Sequence, residues 1–269
     1  MRKLLQYIIF SIPVLYVVSC SKPDNYKEPA ETIRGKIVDV KTGEPVLTDQ
    51  GSEGTRIRLR ELSWKETPTP DNFDFWCMKE GVFQNTKVFA GTYNVRVDGA
   101  FIPLVRRNSK GDTLVNESKT VEIKGVTEVD FQVQPFLKVE WAEKPVVKDG
   151  KITAKVKVTR GVSREDFRAK IEPMGGYNDN FLNVTDVQFM VSESPFVGYR
   201  TTYNDNRRKA IEYSGNAFEP LLGTPIEVTH NGVIQSGRTV FVRAAARINY
   251  ATEGVRRWNY NEAIRVDVP

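Results

Sequence analysis

The chain has 269 residues, of which 40% are hydrophobic and 27% charged, with a formal net charge of +5, two cysteines and one histidine. That length accommodates one or two domains, each with its own core. The interspersed charges exclude a disordered or collagen-like chain, and two cysteines exclude a disulfide scaffold.

Arg2 and Lys3 precede an almost wholly apolar run over residues 4–18, broken by Gln6, Ser11 and Pro13. The run falls short of the roughly 20 residues that a spanning helix needs. It matches the hydrophobic region of a secretory signal. Ser19 then precedes Cys20, and "VVSC" resembles a bacterial lipobox, in which a peptidase cuts before the cysteine and the thiol carries diacylglycerol. The competing reading is an uncleaved signal anchor in which Cys20 is incidental. The lipoprotein reading makes 1–19 a signal peptide, Cys20 the lipidation site and 20–31 a polar, proline-bearing tether. Acyl chains contribute about 0.8 kcal/mol per buried methylene, so several on one cysteine hold a domain to a bilayer. Cleavage also removes two positive charges, leaving a mildly basic protein. With Cys20 acylated, Cys77 has no intrachain partner. Between Trp76 and Met78, it reads as a small packed hydrophobe.

From Ile33 the pattern is strand and turn. "IRGKIVDV" alternates and runs into "KTGEP", a turn on Gly43 and Pro45. "TRIRLREL" places Ile57 and Leu59 on one face and Arg56, Arg58 and Arg60 on the other, and "TYNVRV" points Tyr93, Val95 and Val97 inward. "TVEI" and "TEVDFQVQP" flank a Lys124-Gly125 turn. Segments 63–78 and 100–118 read as long loops. This strand-only stretch, 32–135, predicts one β-sandwich.

A second unit is predicted over 136–269. "KITAKVKV" alternates, "SREDFRAK" reads as one short helix with Ser163 as N-cap, and "DVQFMVSESP", "TVFVRAAARI" and "EAIRVDV" read as strands. In "TVFVRAAARI", Val240, Val242, Ala244, Ala246 and Ile248 share a face. No helical pattern alternates with the strands, so a parallel α/β sheet is excluded and the fold class is all-β, two tandem β-sandwich domains.

The first unit, through "GKIVDVKTGEPV", "GVFQNTKVFAGTYNVRV" and "VEIKGVTEVDFQV", resembles prealbumin-like or carboxypeptidase-regulatory-like sandwiches. The second, through "TVFVRAAARINYATEGVRRWNYNEAIRVDV", is similar to fibronectin type III or Ig-like sandwiches. In this order the whole chain resembles a family of two-domain Bacteroidetes surface lipoproteins of uncharacterised function, typically encoded beside SusC/SusD-like glycan-uptake pairs. The resemblance implies a lipid anchor in the outer membrane, cell-surface exposure, and a polysaccharide or oligosaccharide and a SusC/SusD-like transporter complex as partners. The family supplies no catalytic residues. "DTL" at Asp112–Leu114 resembles the short O-glycosylation motif of such bacteria.

Neither a nucleophile elbow nor a phosphate loop is present, and a Ser-His-Asp triad would have to use His230 without a supporting motif. No cofactor, metal site or nucleic-acid partner is predicted. Two "YNDN" segments, at 177–180 and 203–206, are rich in oxygen ligands, yet Asn and Asp favour turns and neither segment has the spacing of a calcium loop. The basic clusters Arg106-Arg107, Arg207-Arg208-Lys209 and Arg256-Arg257 are short and scattered; an acidic polysaccharide would suit them only if they converge. Aromatics are the better clue, because sugar rings stack C–H faces on flat side chains. The candidates are Trp64, Phe73, Phe75 and Trp76 in the first unit and Tyr199, Tyr203, Trp258 and Tyr260 in the second. Each of them also suits core or loop packing, the commoner role of large aromatics. The expected function is non-catalytic glycan binding; the alternative is a structural or adhesion module with a protein partner.

Overall fold

The computed structural model of the protein describes residues 27–63 and 70–269. The expected signal peptide, Cys20, most of the expected tether and Trp64 lie outside the described residues.

The first sandwich comprises β1 (Glu31–Asp39), β2 (Arg56–Glu61), β3 (Asn72–Trp76), β4 (Val82–Val88), β5 (Gly91–Asp98), β6 (Val105–Arg107), β7 (Thr113–Asn116), β8 (Lys119–Ile123), β9 (Val126–Glu128) and β10 (Phe131–Val133). One sheet has the order β10-β1-β4, with β9 also on β1; β1 is parallel to β9 and β10 and antiparallel to β4. The facing sheet, β3-β2-β5-β8, is antiparallel throughout. Alternation dictates which side is core. Ile57 and Leu59 on β2 pair across to Val97 and Val95 on β5, and all four are fully buried. They meet Ile33, Ile37, Phe83, Ile123 and Phe131 from the other strands. Gly43, at φ 73°, makes the turn that lets Glu44 return its carbonyl to the Asp39 amide at 2.9 Å. Cys77 is buried in the same core, its thiol donating to the Val82 carbonyl at 3.2 Å, and burial pushes its pKa up to about 12.

The two segments expected as long loops carry strands. "NFDFW" is β3, the edge of its sheet, and 100–118 holds the β6-β7 hairpin. Cross-strand partners explain β3. Arg58 on β2 makes paired 2.7 Å bonds to both carboxylate oxygens of Asp74, while Leu59 and Ile57 sit opposite Phe73 and Phe75.

The second sandwich comprises β11 (Leu137–Lys148), β12 (Lys151–Arg160), the helix α1 (Arg164–Ile171), β13 (Val184–Ser192), β14 (Lys209–Glu212), β15 (Pro225–Thr229), β16 (Thr239–Ile248), β17 (Asn259–Tyr260) and β18 (Ile264–Asp267). A three-stranded sheet, β11-β12-β15, faces a sheet ordered β14-β13-β16 with β17 and β18 both on β16. The Ser163 hydroxyl caps α1 by accepting from the Asp166 amide at 3.0 Å, and α1 buries Phe167 and Ile171. The fold is thus all-β with two sandwiches in tandem. Among the described residues no helix is long and apolar enough to cross a membrane.

The two units interlock at residues 100–104. Phe101 packs in the first core, whereas Ala100 and Ile102 pack in the second. The sheet centred on β13 and β16 is buried on both faces. Val242, Ala244 and Ala246 face the second core, and Arg243 and Ala245, pointing the other way, are equally inaccessible. That outer face is covered by the first sandwich, which fixes the position of the site described next.

Candidate functional site

The junction is built where residues 47–54 of the first sandwich lie across the outer face of β16 and β17. Arg243 Nη1 donates to the Thr48 carbonyl at 2.8 Å, and Arg243 Nε to the Asn261 carbonyl at 2.8 Å. Arg257 Nη1 donates to the Ser52 carbonyl at 2.9 Å and also to that of Gly54. Burial lowers the pKa of Arg257 to about 10 and also lowers that of Arg243. Asn259 bridges the units with both ends of its amide, donating to the Ala100 carbonyl at 2.9 Å and accepting from the Leu137 amide at 3.1 Å. The Arg200 side chain reaches Ser52 and Glu53. Gly198 packs closely here: a Cβ would come within 2.3 Å of the Asp49 carboxylate, which would have to move. These buried arginines satisfy backbone carbonyls rather than carboxylates, so they tie the chain of one unit to the other.

Beside this clamp runs a ladder of rings and guanidinium groups. Arg247 lies 4.3 Å from the centroid of the Trp258 ring, which is 5.1 Å from Tyr199 at an interplanar angle of 32°. Tyr199 meets Tyr203 edge-on at 5.6 Å, and Arg208 lies over both, 5.2 and 5.5 Å from their centroids. Asp186, buried between Arg247 and Arg256, has its pKa lowered: burial opposes ionisation and the Arg247 hydrogen bond overcomes it. The ladder emerges into solvent at Tyr203, which is 53% exposed. Arg243 lies 4.4 Å from the centroid of the Tyr260 ring, and the Tyr260 hydroxyl contacts Asp49 at 3.3 Å. Burial beside Asp49 raises the Tyr260 pKa well above its ordinary value.

A cleft of about 460 Å³ opens between the sandwiches on the other side of Tyr260, lined by Asp39, Glu44, Pro45, Leu137, Arg243 and Glu262 among others.

Sequence reasoning named Tyr199, Tyr203, Trp258 and Tyr260 as loop aromatics, and the fold brings all four together. Trp258 and Tyr260 need correction: they are 1% and 5% exposed, Tyr260 lies on β17, and both serve the junction rather than an open platform. Phe73, Phe75 and Trp76 are strand residues on β3; Phe73 is 48% exposed and Phe75 packs 6.1 Å from Phe83. Members of the three basic clusters have partners within the protein. Arg207 pairs with Asp205, Arg256 with Asp186, and Arg106 donates to the Lys170 carbonyl. The "YNDN" segments spend their oxygens on turns: Asn178 accepts from the Asn180 amide and Asp205 from the Arg207 amide, each at 2.8 Å. His230 is buried, its Nδ1 2.6 Å from the Asn231 carbonyl, and burial lowers its pKa. Among the described residues, no three His, Cys, Asp or Glu side chains are placed to share a metal ion. Arg243 and Asn259 were missed, and Arg257 was named only as part of the basic cluster Arg256-Arg257. The available signal was the apolar residues at both odd and even positions around Arg243 in "VFVRAAARI", which mark a strand buried on both faces.

Residues 31–134 match the family described as protein of unknown function (DUF3823) N-terminal domain. No curated protein matches the chain. A DUF3823 family protein from Bacteroides uniformis is 56% identical, with a TM-score of 0.85, and covers 90% of this chain and 100% of its own. A "putative carbohydrate binding protein" from Bacteroides uniformis has the same fold at 20% identity and a TM-score of 0.61, covering 89% of this chain and 100% of its own. A DUF3823 family protein from Parabacteroides merdae also shares the fold, at 16% identity and a TM-score of 0.57 over 89% of this chain and all of its own. With more than half of its residues identical to the first of these over that relative's whole length, the chain belongs to the DUF3823 family.

Proposed function

We propose that the protein is a non-catalytic glycan-binding lipoprotein of the outer-membrane surface, held by lipid on Cys20 and serving a SusC/SusD-like transporter pair in polysaccharide capture. The observation that carries the glycan reading is the Tyr199–Tyr203 pair, where an exposed ring is stiffened from behind by Trp258 and Arg208. A sugar face gains most from a ring whose orientation is already fixed, because little side-chain entropy is lost on binding. The name borne by one structural relative points the same way, and the "VVSC" leader supplies the address.

Affinity electrophoresis of the protein against a panel of polysaccharides tests the reading. Tyr203→Ala is expected to weaken binding roughly tenfold, equivalent to about 1.4 kcal/mol. Retention by no glycan in the panel sinks the reading. Mass spectrometry of the N-terminus from the native host tests the anchor: an unacylated chain starting at Met1 excludes it.

The edge strand β3 favours a second reading, a structural or adhesion module. Its Phe73 is 48% exposed on a strand that, among the described residues, pairs on one side only, a geometry suited to pairing with a strand of another protein. Co-purification of a protein partner without any glycan binding would select it.

A further inference from the structure

We propose that the cleft between the sandwiches binds one uncharged sugar residue. This rests on the glycan reading above but on different side chains.

The volume of about 460 Å³ lies within the range of small-ligand sites. Both units contribute: Asp39 and Glu44 come from the first, Arg243 and Glu262 from the second. Arg243 is 1% exposed and has no carboxylate bonded to it. A guanidinium carries five N–H groups. Nε serves the Asn261 carbonyl at 2.8 Å, Nη1 serves Thr48 at 2.8 Å and Val197 at 3.4 Å, and Nη2 serves Lys79 at 3.4 Å. One Nη2 hydrogen is left over, on a buried cation that lines the cleft. A ligand oxygen in the cleft can accept from that hydrogen.

The acidic groups of the cleft show the converse. The Glu44 and Glu262 carboxylates, both on exposed residues, make no hydrogen bond or ion pair, and Asp39 uses one oxygen, for the Lys41 amide at 2.8 Å. The nearby lysines are occupied, Lys79 with Glu80 at 2.5 Å and Lys138 with Glu140 at 3.0 Å. The cleft therefore offers a spare donor on a cation and spare acceptors on three carboxylates. An anionic ligand would face those carboxylates, and an ammonium would face Arg243. A neutral polyol suits both, because each hydroxyl accepts from the guanidinium or donates to a carboxylate, and charge-assisted bonds of this kind are the strong ones. Pro45, Leu137 and Ala263 supply apolar surface for the C–H face.

The test is to soak crystals of the protein with glucose, galactose, mannose or xylose, and separately with glucuronate, and to titrate the same sugars in solution by NMR. Arg243 also clamps the two units, so the double variant Glu44→Ala/Glu262→Ala is used; both side chains are exposed and unpaired. A neutral sugar seated on Arg243 Nη2 and on Glu44 or Glu262, with affinity reduced roughly tenfold in the double variant, is the expected result. An empty cleft, preferential uptake of glucuronate, seating in the crystal without binding in solution, or unchanged affinity in the double variant each overturns the proposal. Polysaccharide binding that still depends on Tyr203 while the cleft stays empty would overturn this inference and leave the broader reading standing.

Discussion

The outer faces of two sheets in this protein both carry arginines, and they use them in opposite ways. On the β2-β5 face of the first sandwich, Arg56 pairs with Asp98 at 2.7 Å, Arg58 with Asp74 at 2.7 Å, and Arg96 with Glu253 at 2.9 Å. These cations face carboxylates, of which Asp98 is buried and Asp74 is exposed on the edge strand. On the β16-β17 face of the second sandwich, Arg243 and Arg257 are buried and face backbone carbonyls of the other unit. The Arg58–Asp74 pair tolerates loss of a partner, because water reaches Asp74 on the edge strand. The second arrangement does not, because losing a guanidinium leaves buried backbone carbonyls of the junction without their donors. A strand arginine is thus a surface group or a clamp depending on what covers the sheet.

Substitutions that break this contrast should act most strongly at the junction. Trp258→Ala removes the buried centre of the ring ladder and is expected to lower stability by about 4 kcal/mol, read from the midpoint of urea denaturation. It should also release Tyr199, so that glycan binding through Tyr203 falls with it. Arg243→Ala leaves the Thr48 and Asn261 carbonyls without donors, and a loss of about 3 kcal/mol is expected by the same measurement. A loss below 1 kcal/mol would mean that the clamp is ornamental.

The buried thiol offers a probe confined to the first sandwich. Cys77 ionises in the folded protein at about 12, against an ordinary value of 9.0. Below pH 9 the thiol keeps its proton folded or unfolded, and this contribution is fully present. Between 9 and about 12 only the unfolded chain releases the proton, so stability should fall as pH rises through that window. Iodoacetamide should accordingly label Cys77 at pH 8 only at the rate of unfolding; rapid labelling of the native protein would contradict its burial.

The smallest effect should come from the exposed side of the comparison. Arg58→Ala breaks a well-aligned pair with Asp74, yet the change expected is within about 1 kcal/mol and should shrink further in high salt. An effect equal to that of Arg243→Ala would erase the distinction between the two faces.

The strands that alternate were legible. Ile57 and Leu59 inside with Arg56, Arg58 and Arg60 outside is what β2 does, and Ser163 caps α1 as its spacing indicates. The β3 edge strand was not, since three aromatics in a polar segment that follows two prolines look like a loop until Asp74 meets Arg58 across the sheet. The site was half legible. Residue type singled out Tyr199, Tyr203, Trp258 and Tyr260, but nothing in their spacing shows that two are buried and two approach solvent.

The sequence by itself determined the all-β class, the strand faces with regular alternation and the capped helix, because each is set by neighbours a few residues apart. It also carries the "VVSC" segment on which the proposed lipid anchor rests. Only the tertiary structure decided that Arg243 and Arg257 are clamps, that Trp258 lies inside and Tyr203 outside, and that a cleft joins Glu44 to Glu262. Those facts depend on residues 47–54 of one sandwich lying across β16 of the other. Contact between segments some 200 positions apart leaves its only local trace in the apolar run around Arg243, where a strand that should show one face to water has two faces to hide.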